Sequence, residues 1–241
     1  NVMPFESSYQ NPYTVAAAPA DARAQFIRRT YAHLAGAIAI FALLEAALMS
    51  IPGIEDKVFG MLGASKYSWL IVLGLFIGAS WIADKWAQSE TSRGMQYAGL
   101  GLFIVAEAII FLPLLLMARA MVGDASLIAQ AGLLTGALFL GLTAVALTTR
   151  KDFSFLGGFL KIGSLIAMGL IVVGIFFQGF TLGLWFSGAM VLIAAGSILY
   201  TTGNMIHHYR TDQHVAAALG LFSAVALLFY YILRILMSLR R

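Results

Sequence analysis

Seven apolar runs, each close to the roughly 20 residues that carry a helix across a bilayer, follow one another along this 241-residue chain. They fall at about residues 30–49, 67–83, 97–117, 127–148, 158–178, 183–203 and 215–237. Polar breaks separate them: Pro52-Gly53, the run 84–94, Gly123-Asp124, 149–154 and 207–214. The break at 179–182 is so short that the fifth and sixth segments should form a tight antiparallel hairpin. In lipid a backbone can satisfy its polar groups only within helices or closed barrels, and runs of this length select helices. The expected fold is all-α, an integral membrane bundle of seven transmembrane helices.

Composition agrees. The chain is 61% hydrophobic and 11% charged, against about 25% charged for a soluble domain. No soluble core of this size could enclose so much apolar surface. Cysteine is absent, which excludes disulfides, thiolate metal sites and a cysteine nucleophile. The net charge of +4 contains no basic run suited to nucleic acid. It bears instead on membrane orientation.

Residues 1–25 hold Pro4, Pro12 and Pro19 without a sustained helical period, and are expected to be a flexible cytoplasmic tail ahead of a transmembrane domain at 26–241. Asn11-Pro12-Tyr13 reads as a turn. No apolar run with a small-residue cleavage site occurs there, so the tail is not read as a secretory signal, and Asn1 implies a trimmed or processed chain. Arg23, Arg28, Arg29, Lys85, Arg93, Arg150, Lys151 and Arg210 would share one face of the membrane. Lys57, Lys66, Arg119, Arg240 and Arg241 would share the other. Eight against five sets the amino terminus in the cytoplasm and the carboxyl terminus outside.

Ionisable groups inside spans cost about 2.5–3.5 kcal/mol each on insertion scales, so each is a functional candidate. Glu107 lies ten residues into the third segment, with Pro113 six residues on. At mid-membrane its carboxyl must be neutral or paired, since desolvation disfavours the charged form. Two readings stand: a proton or cation relay, and a neutral carboxyl bonded to a neighbouring helix. Glu45, near the outer end of the first segment, is expected to reach the interface, and Lys161 and Arg234 to snorkel to headgroups. Asp84 and Lys85 read as a solvated pair, and Trp69, Trp81, Trp86 and Trp185 as an aromatic belt.

The closing stretch, 194–234, concentrates the remaining polar groups. Ser197, Thr201, Asn204 and His208 recur at steps of four, three and four, and so share a helix face. Across the short connection Ala216, Gly220 and Ala224 form a small-residue stripe suited to close helix packing, and Gly157-Gly158, Gly174, Gly188 and Gly196 suit the same role. His207, His208 and His214 flank the connection. Adjacent histidines point apart, so they do not make a metal site, and no nucleotide, HExxH or Ser–His–Asp arrangement is visible. No cofactor and no enzyme activity are expected.

Several of these residues carry a resemblance. The run Thr148-Thr149-Arg150-Lys151-Asp152-Phe153-Ser154-Phe155-Leu156-Gly157-Gly158 closely resembles the fourth connection of the Bax inhibitor-1 family, in its bacterial YccA-like branch. Ile198-Leu199-Tyr200-Thr201-Thr202-Gly203-Asn204-Met205-Ile206-His207 is similar to the end of that family's sixth helix. Ala217-Ala218-Leu219-Gly220-Leu221-Phe222, with Leu227-Leu228-Phe229 and Leu233-Arg234-Ile235-Leu236, is similar to its last helix, and Glu107 with Pro113 resembles its third-helix pattern.

The resemblance implies seven helices with the last one central and wrapped by the other six. It also implies one of two activities. Some members are pH-sensitive calcium leaks gated by two aspartates, on the sixth and seventh helices. YccA-like members restrain the membrane AAA protease FtsH. Here the two acid positions hold Thr201 and Ala224, which neither share a proton nor attract a hard cation as carboxylates do. The expected function is therefore a non-enzymatic modulator of an FtsH-type protease in a bacterial inner membrane. The alternatives are a calcium or proton leak using Glu107 and the Ser197–Thr201–Asn204–His208 face, and a structural subunit of a larger membrane complex.

Overall fold

The computed structural model describes residues 14–65, 67–89, 92–149, 151, 153–177 and 182–240. Among them eight helices form: α1 (Ala20–Met49), α2 (Ile54–Gly63), α3 (Ser68–Ala87), α4 (Arg93–Val122), α5 (Ser126–Thr149), α6 (Leu156–Phe176), α7 (Leu184–His207) and α8 (His214–Leu239). All but α2 are long and apolar enough to span a membrane. The bundle of seven spans is therefore the fold, and α2 is an addition to it.

Several boundaries differ from the hydropathy reading. Helix α1 starts ten residues ahead of its apolar run. Pro19 stands just outside its first turn and Ala20, Ala22, Arg23 and Ala24 are strong helix formers. Hydropathy marks where a helix meets lipid, not where it begins. Part of the expected tail is also held: the Val15 amide donates to the Tyr209 carbonyl at 2.8 Å, and the Val15 side chain is fully buried. Residues 1–13, Lys66, 90–91, Arg150, Asp152, 178–181 and Arg241 lie outside the described residues.

Capping residues stand at two of the polar breaks. Ser92 caps α4 by accepting from the Met95 amide at 3.3 Å. Gly123 ends the same helix in the left-handed region, φ 82°, its amide on the Arg119 carbonyl at 2.8 Å. Asp124 then accepts from the Ser126 amide at 2.8 Å and starts α5. Bonds to Ser126 hold the exposed Asp124 carboxyl below the usual carboxylate range.

Arg119 ties three elements together at this end. It donates to the Met49 carbonyl at 3.0 Å, where α1 ends, and to Glu55 of α2 at 2.8 Å. The positive charge complements the C-terminal dipole of α1. With Gly53 at φ 70° turning the chain, this fixes α2 against α4.

Helix α8 packs on α1, α3, α4, α5 and α7 and is the most enclosed span. Helix α4 is nearly as enclosed, so the centre is a pair of helices. Helix α6 lies at the edge, against α7 and α3. Phenylalanines knit the centre: Phe41–Phe111 at 5.1 Å, Phe41–Phe222 at 5.9 Å, Phe103–Phe222 at 6.0 Å and Phe111–Phe229 at 5.7 Å between ring centroids.

Close backbone approach is set at few glycines. A Cβ on Gly220 would sit 3.2 Å from Thr201 Cγ2, and on Gly99 only 2.5 Å from the Ala83 carbonyl oxygen. Gly158 and Gly188, expected to pack in the same way, have open space around that position.

Candidate functional site

Glu107 faces the interior from α4, 6% exposed, with no hydrogen-bond partner among the described residues. It lies at the inner end of a cavity of about 510 Å³. The walls come from α3 (Trp69, Phe76, Ser80), α4 (Phe103, Phe111), α6 (Ile171, Ile175) and α8 (Ser223, Tyr230, Tyr231). Arg234 and Leu182 stand at the opposite end, beside the carboxyl terminus of α8. The ring pairs put Glu107 level with about Ala226 of the parallel α8. Eight residues separate that level from Arg234, about 12 Å along the helix. The cavity is mostly apolar, with one acid deep inside and one base near its mouth.

Arg234 is half-buried near the end of α8. Its Nη2 donates to the Leu182 carbonyl at 3.3 Å and its guanidinium lies 6.0 Å from the Tyr231 ring centroid. Ser223, Leu227, Tyr230 and Arg234 recur at steps of four, three and four, so Arg234 shares the inward face. Glu45 is likewise turned inward. It is 4% exposed and neither carboxyl oxygen has a hydrogen-bond partner. Phe26, Thr30, Leu34, Ala37 and Glu45 all fall on the buried stripe of α1, a spacing that could have placed it. Trp69 lines the cavity, whereas Trp81 and Trp185 are exposed. Asp84 accepts from Gln88 at 2.8 Å and Lys85 lies 5.4 Å from the Trp81 ring centroid, since side chains at i and i+1 diverge on a helix.

The polar face of α7 does not join this cavity. Ser197 is half-buried and donates back to the Ile193 carbonyl at 2.8 Å, Thr201 packs on Gly220, Asn204 is half-buried, and His208 is exposed. Ala216 and Ala224 are buried along α8 beside Gly220. Thus Thr201 meets the small-residue stripe and Ala224 lies in the core. The deeper threonine is Thr202, fully buried, whose hydroxyl converges with those of Tyr31 on α1 and Thr143 on α5 without completed hydrogen bonds. Sequence reading missed this trio because its members are 112 and 59 residues apart.

In the α7–α8 connection Arg210 holds Asp212 through Nε and Nη2, both at 3.1 Å. The guanidinium keeps that carboxyl below its usual range. His214 pairs with His33 of α1, ring centroids 5.0 Å apart, a contact between segments that the sequence reading treated separately.

Seven spans, two of them enclosed by the others, with an acid and a base lining one interior cavity, define a multi-pass integral membrane protein. Comparison with known proteins gives the family. The family described as "Inhibitor of apoptosis-promoting Bax1" matches residues 23–241, and the chain belongs to it. It is 30% identical over 213 residues to the Neisseria meningitidis protein NMA0420, covering 88% of this chain and 90% of that one. It is 38% identical over 114 residues to "Modulator of FtsH protease YccA" of Escherichia coli K12, 47% of this chain and 51% of that one. It is 36% identical over 115 residues to a "Golgi anti-apoptotic protein" of vaccinia virus, 47% and 48%. The chain spans about half the length of several curated relatives it matches, the Pseudomonas aeruginosa protein PA2604 at 55% among them.

Proposed function

We propose that this protein is a non-enzymatic modulator of a membrane-bound FtsH-type protease, resident in a bacterial inner membrane with its amino terminus in the cytoplasm. The observation that carries this reading is the similarity to the protein named as a modulator of FtsH protease. Two structural features support it. The α7–α8 seam is filled by Thr201 against Gly220, where a gate would need titratable groups. Phe103 and Phe222 meet edge to face below Glu107 toward the amino-terminal ends of α4 and α8, so the cavity meets packed rings on that side.

The test is co-purification with FtsH from membranes, with turnover of an FtsH substrate measured in the presence and absence of this chain. Retention on FtsH with slowed turnover is expected; neither effect would reject the reading.

A second reading rests on Glu107, an unpartnered acid within a cavity of about 510 Å³. It is a leak for protons or calcium. Flux into proteoliposomes across pH tests it, with Glu107→Gln beside the parent. A leak through this cavity predicts a parent flux above empty liposomes that Glu107→Gln reduces at least tenfold. Flux equal to empty liposomes removes it.

A further inference from the structure

At the opposite end of the bundle from the Glu107 cavity a second, smaller hollow of about 210 Å³ opens between the starts of α1, α4 and α8. Its walls are Ala22, Gln25, Phe26 and Arg29 of α1, Arg93 of α4, Thr211 and Asp212 of the connection, and His214 of α8. Three of its properties suit an anion.

Arg29 and Arg93 are exposed at its rim, and neither has an ion-pair partner among the described residues. Both lie near enough to His214 to act electrostatically on it. The carboxylate in the wall, Asp212, is bonded through both oxygens to Arg210, and Asp21 is the exposed acid next along α1. The two rim guanidiniums therefore stand uncompensated.

The floor is also unsatisfied. His214 is 8% exposed, and its Nδ1 is buried without a hydrogen-bond partner. The neighbouring His33 ring is already engaged, with Nδ1 at 2.7 Å from the Arg29 carbonyl and Nε2 at 3.0 Å from the Tyr97 hydroxyl. Finally, the 26-residue α8 begins here without a side-chain cap. Gln213 turns its Oε1 back to the Arg210 amide at 2.9 Å, so the first-turn amides of α8 have no side-chain acceptor.

We infer that this hollow binds the phosphate of an anionic phospholipid headgroup, held between the guanidiniums of Arg29 and Arg93 above His214. Two planar guanidiniums suit a phosphate because each can donate two parallel bonds to its oxygens. A hollow of this size admits a phosphate with its glycerol, and the hollow lies at the lipid-headgroup end of three spans on the face richer in Lys and Arg. Free phosphate shares the chemistry, and the experiment separates the two sources.

The full chain is purified in neutral detergent and titrated with phosphatidylglycerol, phosphatidylcholine and, separately, inorganic phosphate, with adducts counted by native mass spectrometry. One tightly retained phosphatidylglycerol is expected, absent with phosphatidylcholine, and the double variant Arg29→Gln/Arg93→Gln should weaken it about tenfold to thirtyfold. Arg29→Lys/Arg93→Lys should recover part of the loss, and Lys57→Gln at the other face should change nothing. Saturable retention of inorganic phosphate that competes with the lipid and is lost in the double variant keeps the site and assigns it to a soluble phosphate. Equal phosphatidylglycerol retention in parent and double variant, or equal retention of both lipids, overturns the inference. Thermal unfolding in the same detergent shows that the variants are folded, since both arginines are exposed and unpaired.

Discussion

Asp212 shows how a single loop residue couples stability to pH. Arg210 holds its carboxyl below the usual range through two bonds of 3.1 Å. A carboxyl with a depressed folded value contributes stability above its unfolded pKa and loses it as pH falls through the folded value. The parent's melting temperature should therefore fall relative to Asp212→Asn as pH drops from about 6 to 3, the two curves converging at the acid end. The effect is small, because half of the Asp212 side chain is exposed. Parallel curves throughout would show that the pair adds nothing. At this scale the sequence disclosed which residues were unusual but not which way they pointed. Glu45 and Arg234 sit near span ends, where reaching outward is always available; their helix faces turn both inward.

Among the elements, α3 and α4 approach most closely at Gly99, where a Cβ would lie 2.5 Å from the Ala83 carbonyl oxygen and 2.7 Å from the Ala87 amide nitrogen. Both obstacles are backbone, so a methyl cannot be accommodated by a rotamer change. Gly99→Ala should destabilise the protein by about 1–3 kcal/mol, read as a lower unfolding temperature in detergent. Gly158→Ala, with open space at its Cβ, is the control and should unfold as the parent does. An unchanged Gly99→Ala would show that the helices separate freely. Of the glycines expected to pack in α6 and α7, Gly157 and Gly196 meet Tyr200 and Leu160 whereas Gly158 and Gly188 face open space, because composition cannot tell a glycine facing a neighbour from one facing lipid. Helix α2 was passed over for a related reason: ten residues cannot span a bilayer, so a search for spans treats them as a connection.

For the whole molecule, seven spans put the start of α1 and the end of α8 on opposite faces. The chain has no cysteine, so one introduced thiol is labelled without background. In cells treated with a membrane-impermeant maleimide, Ser238→Cys should react and Ala24→Cys should react only after lysis, as both positions are exposed. The reverse pattern would invert the proposed orientation, and labelling of both in intact cells would contradict an odd number of spans.

The sequence by itself determined how many helices cross the membrane, their apolar length, and that any acid within them would be exceptional. Each of these follows from the thickness of the bilayer and the cost of unsatisfied polar groups in it. It also carried the family, through the fourth connection, the end of the sixth span, the last span and Glu107 with Pro113. Only the tertiary structure decided which helices are central. Helices α6 and α8 are about equally apolar, yet α8 is mostly enclosed and α6 lies at the edge. Lipid tails are as apolar as leucine, so no hydrophobic force selects which side of such a helix faces inward; close packing does. That choice separates Glu107 from the polar face of α7, brings it into one cavity with Arg234, and sets His33 beside His214.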